Sequence, residues 1–293
     1  MPALSDVIAA LDELWPPERA EQWDAVGTVC GDPGAEVSRV LIAVDPVRET
    51  AEEAVRLGAG LLLTHHPLYL RGTTTVSAGT FKGRVVHDLI RAGVALHVAH
   101  TNADRADPGV SDALAEALGL RITGPLAPDP ADPSGRRGLG RICELDAPEP
   151  LARFAERVAA RLPATAQGVR AAGDPDRPVR TVAVCGGSGD SLLDRVRAAG
   201  ADAYVTADLR HHPASEAVQR GALDGGPALV DAAHWATEWP WCEQAAAQLD
   251  AVSERHGWGL RVHVSRTVTD PWTVHAASAP AEGAPTTITG APN

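Results

Sequence analysis

Cysteine is scarce in the sequence and its residues stand apart. Cys30, Cys143, Cys185 and Cys242 are the whole complement and form no CxxC pair. That excludes a zinc knuckle and a disulfide framework, and it reads as free cytosolic thiols. No apolar run reaches the roughly 18–20 residues that a membrane span needs, and Met1 to Asp6 carry no basic segment followed by an apolar one. The expectation is a soluble, cytoplasmic protein. Positive charge is outweighed as well, 26 Lys and Arg against 38 Asp and Glu, giving a formal charge of −12. This excludes a nonspecific grip on nucleic acid or on an anionic membrane, and leaves a small or cationic ligand, or an anion drawn in by a metal. Lys82 is the lone lysine, which reads as coding bias.

What is present suits an ordinary globular chain: 293 residues, 44% hydrophobic and 22% charged, enough for two α/β-sized lobes. Residues 5–14 read as an amphipathic helix stopped at Pro16-Pro17. Short apolar runs at 40–44, 61–63 and 94–98 alternate with helical stretches at about 49–57, 83–92 and 111–118, the pattern of a mostly parallel sheet. The Pro/Asp/Gly/Arg-rich stretch 125–140 reads as a boundary or mobile connection. After it the alternation resumes, with strands near 139–145, 181–185, 203–205, 228–230 and 260–264. The expected division is a first α/β lobe over 1–123, a second over 124–272, and a disordered tail over 273–293. Arg39–Thr64 and Arg180–Thr206 share an order of strand, helix, glycine, strand, threonine, which suggests two related lobes, each with polar residues at a strand's carboxyl end. Open α/β sheets bind their ligands at that edge.

Histidines gather where such strands end. Thr64-His65-His66-Pro67 follows one strand, and two neighbouring imidazoles at a strand end can turn towards one site and serve two metals. His100-Thr101-Asn102-Ala103-Asp104 follows another; Asp104 is the expected hard anionic ligand, His100 a supporting group, and Asn102 either a water-orienting amide or a turn residue. His234-Trp235-Ala236-Thr237-Glu238 places an imidazole and a carboxylate four residues apart, on one face if a helix starts there. A carboxylate can bridge two ions about 3.5–4 Å apart. The three clusters together point to a dinuclear site at strand carboxyl ends between the lobes.

These motifs, with Glu21-Gln22-Trp23-Asp24-Ala25-Val26-Gly27, Val44-Asp45, Gly60 to Leu68 and Gly109-Val110-Ser111-Asp112, resemble in order those of the dinuclear metal-centre hexamer family. These are the NGG-interacting-factor-like proteins, also called GTP cyclohydrolase I type 2 homologues. The resemblance covers about residues 5–272. It implies a two-lobed α/β subunit, a ring-shaped homohexamer, and two divalent ions per subunit facing an internal cavity. It puts the ligands on His65, His66, Asp104, His234 and Glu238, with Glu238 bridging, His65 and Asp104 on one ion, and His66 and His234 on the other. Thr206-Ala207-Asp208-Leu209-Arg210-His211-His212 is similar to a further family segment that usually has Gly where Ala207 stands, and it makes His212 a cavity-lining candidate. Ala25-Val26-Gly27 departs from the usual Asn-containing version, and the long inserted domain of some members is absent.

The expected chemistry is metal-dependent hydrolysis by a metal-bound water supported by His100 and His212, with a nucleotide, GTP by resemblance, or a phosphoester as substrate. The nonenzymatic alternative is a metal-binding scaffold or regulatory hexamer. His/carboxylate sites accept Zn, Mn, Fe, Co or Ni alike. Gly186-Gly187-Ser188-Gly189 reads as a phosphate loop or a tight strand-to-helix turn. Trp235, Trp239 and Trp241 read as base-stacking or packing residues. Cys185 and Cys242 would be nucleophiles only beside a base.

Overall fold

The structure, a computed structural model, describes residues 1–277; the tail expected over 273–293 lies, beyond residue 277, outside them. The chain forms two units that are interleaved along the sequence. One comprises Met1–Leu114, Pro128–Leu139 and Glu238–Thr269; the other comprises Ala115–Ala127, Gly140–Thr237 and the described residues from Asp270. A single boundary at 123/124 therefore does not describe the path of the chain.

In chain order the first unit holds α1 (Leu4–Leu14), β1 (Gly27–Cys30), β2 (Arg39–Ala43), α2 (Arg48–Leu57), β3 (Leu61–Thr64), α3 (Phe81–Ala92), β4 (Ala95–Val98), α4 (Thr101–Asp104) and the start of α5 (Val110–Leu118). Its sheet runs β1, β4, β3, β2 and then a last strand, Arg261–Val264, which pairs with β2 in parallel. Only β1 is antiparallel, against β4. Both faces of the sheet are covered, as a parallel sheet requires: Leu41, Leu62 and Leu96 pack with Val85 and Leu89 of α3, while Val40, Ile42, Leu61 and Leu63 alternate with them and are equally buried. Left-handed glycines end α2 at Gly58 and α3 at Gly93. Pairing with β2 is what returns the chain's late segment to this unit.

Within the stretch 125–140, residues 129–137 form a built turn between two strands. Asp132 accepts hydrogen bonds from the backbone N–H groups of Arg136 (3.0 Å) and Arg137 (2.9 Å), and Arg19 reaches Asp129 at 3.2 Å.

The second unit holds β5 (Arg121–Pro128), β6 (Gly138–Pro150), α6 (Leu151–Arg161), β7 (Arg170–Ala172), β8 (Pro178–Ser188), α7 (Leu193–Ala198), β9 (Ala203–Ala207), α8 (His211–Asp224) and β10 (Ala228–Ala232). Its sheet order is β5, β6, β8, β9, β10, β7. It is parallel only at β8, β9 and β10; β6 and β7 flank these antiparallel. The expected mostly parallel pattern thus holds in the first sheet, and the second is mixed. The internal echo is real as topology, since β2–α2–β3 and β8–α7–β9 are both parallel strand–helix–strand units. A long helix, α9 (His234–His256), begins in this unit and continues in the first, where β11 (Arg261–Val264) follows.

Gly186 to Ser188 are neither the phosphate loop nor the tight turn of the two readings but the irregular end of β8, where Ser188 pairs with Ala207, and Gly189 alone links it to a 3-10 turn at Asp190–Leu192. The Gly187 N–H donates to Thr237 Oγ1 (2.9 Å), and the hydroxyls of Thr206 and Tyr204 donate to the carbonyls of Gly187 and Gly189 (both 2.9 Å). A side chain at Gly189 would collide with Tyr204 and Thr206. Gly189→Ala is expected to destabilise the protein by about 1–3 kcal/mol. The control Gly124→Ala, where a Cβ meets nothing, should stay within about 0.5 kcal/mol; equal denaturation midpoints for the two variants would contradict the packing described.

Candidate metal centre

At the carboxyl end of β3 the ladder persists for two residues: the N–H groups of His65 and His66 donate to the carbonyls of Ala43 (3.1 Å) and Val44 (2.8 Å). The Thr64 hydroxyl then donates to the His66 carbonyl (3.0 Å) and turns the chain. The result departs from strand alternation. The two rings lie side by side, centroids 5.1 Å apart, and the His100 ring from the end of β4 lies 5.1 Å from His65 and 5.6 Å from His66. Each of these three residues offers a ring nitrogen within 4.8 Å of the other two.

The hydrogen bonds fix which nitrogen faces inward. His65 Nδ1 lies 3.0 Å from the Ala99 carbonyl oxygen, which can only accept, so Nδ1 carries a proton and Nε2 is the nitrogen that faces inward. That Nε2 is buried without a hydrogen-bond partner, 3.5 Å from Glu238 Oε1 and 3.7 Å from Asp104 Oδ1. Those separations suit shared ligation better than hydrogen bonding. Two donors each about 2.1 Å from one cation, at a tetrahedral angle, stand about 3.4 Å apart. The other oxygen of Glu238 lies 3.0 Å from His66 Nε2, so one carboxylate faces both imidazoles, one oxygen to each.

The remaining nitrogens meet carboxylates. His66 Nδ1 donates to Asp45 (2.7 Å), and His100 Nδ1 donates to Asp24 (2.8 Å). The second unit repeats the device: His234 Nδ1 pairs with Asp208 at 2.7 Å, and Asp208 sits at a φ of 56°, a left-handed conformation uncommon for a residue with a side chain. Pairing of this kind fixes a ligating histidine's tautomer and orientation.

Burial opposes charging His66, but Glu238 and Asp45 outweigh it and push its pKa up to about 10. Burial likewise opposes charging His65, and Glu238 and Asp104 overcome it. Burial raises Asp104, with His65 and His100 offsetting part of the effect. All three shifts say that this place favours additional positive charge. Asp24 behaves differently: burial works against its ionised form, but hydrogen bonds from His100 and Thr101 hold its carboxyl well below the usual range.

The structure brings together His65, His66, Asp104 and Glu238 of the expected residues, and it makes His100 a nearer member of the group than a supporting role suggested. His234 stands four residues before Glu238, one turn earlier on α9. His212 lies exposed in the first turn of α8, in the second unit, with its ring against His211. Asn102 is a backbone tie, accepting from the His100 N–H (2.9 Å) and donating to the Trp15 carbonyl (2.7 Å). Trp241 is buried against His65 and Trp15, with ring centroids 5.2 Å away in each case. Burial pushes the Cys242 thiol far up, with the charge of Glu238 adding to it, so it is no nucleophile. Cys185 is buried too. The sequence reading assigned no part to Asp24, Asp45 or Asp208; the only signal was that each lies within or beside a quoted motif.

Asp24→Asn tests this bracing. A carboxyl with a depressed folded pKa contributes stability above its unfolded pKa of about 3.9 and loses it as pH falls through the folded value. The variant is expected to be about 1–3 kcal/mol less stable than wild type at pH 5–7, with the gap closing below pH 4. A gap unchanged at pH 2.5 would mean that the carboxylate's charge is not its source.

Comparison with known proteins gives this geometry a context. A curated relative from Streptomyces coelicolor, named GTP cyclohydrolase 1 type 2 homolog, is 71% identical over the full length of both chains. A solved Bacillus cereus protein related to NIF3 superposes with a TM-score of 0.83 at 25% identity, covering 94% of this chain and 99% of its own. A Staphylococcus aureus hypothetical protein does so at 0.84 and 27%, covering 93% and 99%. The family model described as Duf34/NIF3 (NGG1p interacting factor 3) matches residues 2–271, and on that extent of agreement the chain belongs to the DUF34/NIF3 family.

Proposed function

We propose that this protein binds two divalent cations per chain and uses them as a metal-dependent hydrolase of a nucleotide or phosphoester. The observation that carries the reading is His65 Nε2, a buried ring nitrogen held between the carboxylates of Asp104 and Glu238 with no hydrogen-bond partner. A buried polar atom left this way is destabilising unless a ligand engages it. His65, His66, Asp104, Glu238 and His234 are the proposed ligands, with Glu238 bridging. Imidazole and carboxylate donors fit Zn, Mn, Fe, Co or Ni.

When bound, a cation pair supplies Lewis acidity and lowers the pKa of a water. The chain's own part is orientation. Asp45 and the Ala99 carbonyl aim the imidazoles of His66 and His65. His100, its Nδ1 on Asp24, stands beside them as the proposed support of the metal-bound water. Trp241 closes one side of His65 to water. The GTP in the relative's name makes a purine nucleotide the first substrate to try. Assembly into a homohexamer and a cytoplasmic location belong to the same proposal; among the described residues no helix is long and apolar enough to cross a membrane.

Elemental analysis of purified wild type is expected to give about two divalent ions per chain, and Glu238→Ala should lose most of both; full occupancy in that variant would refute the bridge. Metal-loaded wild type should turn over a nucleotide or phosphoester that the His65→Ala, His66→Ala double variant leaves untouched. Metal binding without any turnover would favour the scaffold role. Because His66 takes up a proton with a pKa near 10, a cation must displace it. Affinity should therefore rise with pH between 6 and 9, with proton release visible by calorimetry in two buffers of different ionisation enthalpy. Light scattering should report a hexamer.

A further inference from the structure

The tryptophans that the sequence offers for stacking are taken up elsewhere. Trp235 and Trp241 are buried; Trp239 donates its Nε1–H to the Ser265 carbonyl (2.9 Å) and lies under the Arg266 guanidinium. A fourth is different. Trp23 is 60% exposed, yet the backbone on both sides of it is pinned. Before it, the Glu21 N–H donates to Thr101 Oγ1 (2.9 Å) and the Glu21 carboxylate pairs with Arg105 (2.5 Å). After it, Asp24 accepts from the Thr101 N–H (3.0 Å) and from His100. The ring meets His100 edge-on, with centroids 6.0 Å apart and planes at 78°. His100 is itself in ring contact with His65 and His66. A large flat apolar surface is thus left in water, on a braced loop, beside the cluster of imidazoles.

Indole is among the side chains that do most when covered, because it combines area, a π face and few rotamers to freeze. Bracing the loop on both sides removes most of the ordering entropy that binding would otherwise cost. We propose that Trp23 is a specificity-determining residue, the face on which the planar ring of a nucleobase stacks while the polar end of the same ligand meets the metal centre. This rests on the functional reading above, and it narrows the substrate class to ring-bearing phosphates over sugar phosphates without a base. Stacking accepts any base, because each has a π face. Trp23 therefore sets ring against no ring, and leaves the choice among bases to other groups.

The test uses the protein as purified, Trp23→Ala and Trp23→Phe, with metal content measured first for each. Two probes, guanosine 5′-monophosphate and ribose 5-phosphate, are titrated by calorimetry. Wild type is expected to bind the nucleotide more tightly than the sugar phosphate. Trp23→Ala should weaken the nucleotide about 5- to 100-fold, leave ribose 5-phosphate unchanged and keep its metal; Trp23→Phe should recover most of the loss. Equal affinity of wild type for the two probes would overturn the inference. So would unchanged nucleotide binding in Trp23→Ala, or a parallel loss of both probes. Dissociation of the assembly in Trp23→Ala would make the indole a subunit contact and overturn it as well. The metal reading fails on a separate measurement, absence of bound metal in wild type, so the two failures are distinguishable.

Discussion

An imidazole nitrogen buried between two carboxylates is the constraint on which the first unit's architecture turns. His65 cannot rotate away, because its other nitrogen is committed to the Ala99 carbonyl. Glu238 and Asp104 are drawn to it from separate elements, α9 and α4. Gathering anionic oxygens in a largely buried place raises the energy of each unless positive charge arrives. Protons supply that charge in part, as the raised pKa values of His65 and His66 show. The divalent cations proposed above would supply the rest.

The rest of the unit holds that arrangement still. Parallel strands buried on both faces leave their carboxyl ends as the place where polar side chains gather without disturbing the ladder. Asp45 follows β2 and receives His66 on one oxygen and the hydroxyl of Thr269 on the other. The late strand β11 brings that threonine's segment alongside. The residues 200 positions downstream are therefore part of the bracing around His66. Interleaving of the two units along the chain is the covalent form of this dependence.

Much of this was legible in the sequence, for particular reasons. The runs at 40–44, 61–63 and 94–98 are short, apolar and followed by glycine-ended helices, so β2, β3 and β4 and their parallel order could be read directly. His65, His66 and Asp104 were legible because they follow those runs, and Glu238 because it lies one helical turn after a histidine. What stayed hidden depends on pairing between distant segments. β1 and β7 are short, and β5, though longer, is mostly exposed, so the pattern of all three carries little burial signal. The flanking strands of the second sheet are antiparallel by tertiary pairing, and β11 joins β2 across more than 200 residues. Asp24, Asp45 and Asp208 look like ordinary loop aspartates until the histidine that each one holds is in place.

The same reasoning explains why the tryptophans sorted as they did. Proximity in sequence to His234 made Trp235, Trp239 and Trp241 attractive, but a residue close along a helix to a buried carboxylate is carried into the packed interior with it. Trp241 shields His65 because Glu238 must be shielded too. Trp23 comes from a loop whose backbone is held through its neighbours Glu21 and Asp24, and its own ring meets the cluster only edge-on at His100, with most of its surface left in water. Of the aromatic residues beside this site, Trp241 keeps water from the charged groups, and on the proposal above Trp23 is the one that water would leave when a ligand arrives. The first is selected by burial and the second by anchoring of the backbone on either side, and only the anchoring depends on contacts that no local sequence pattern records.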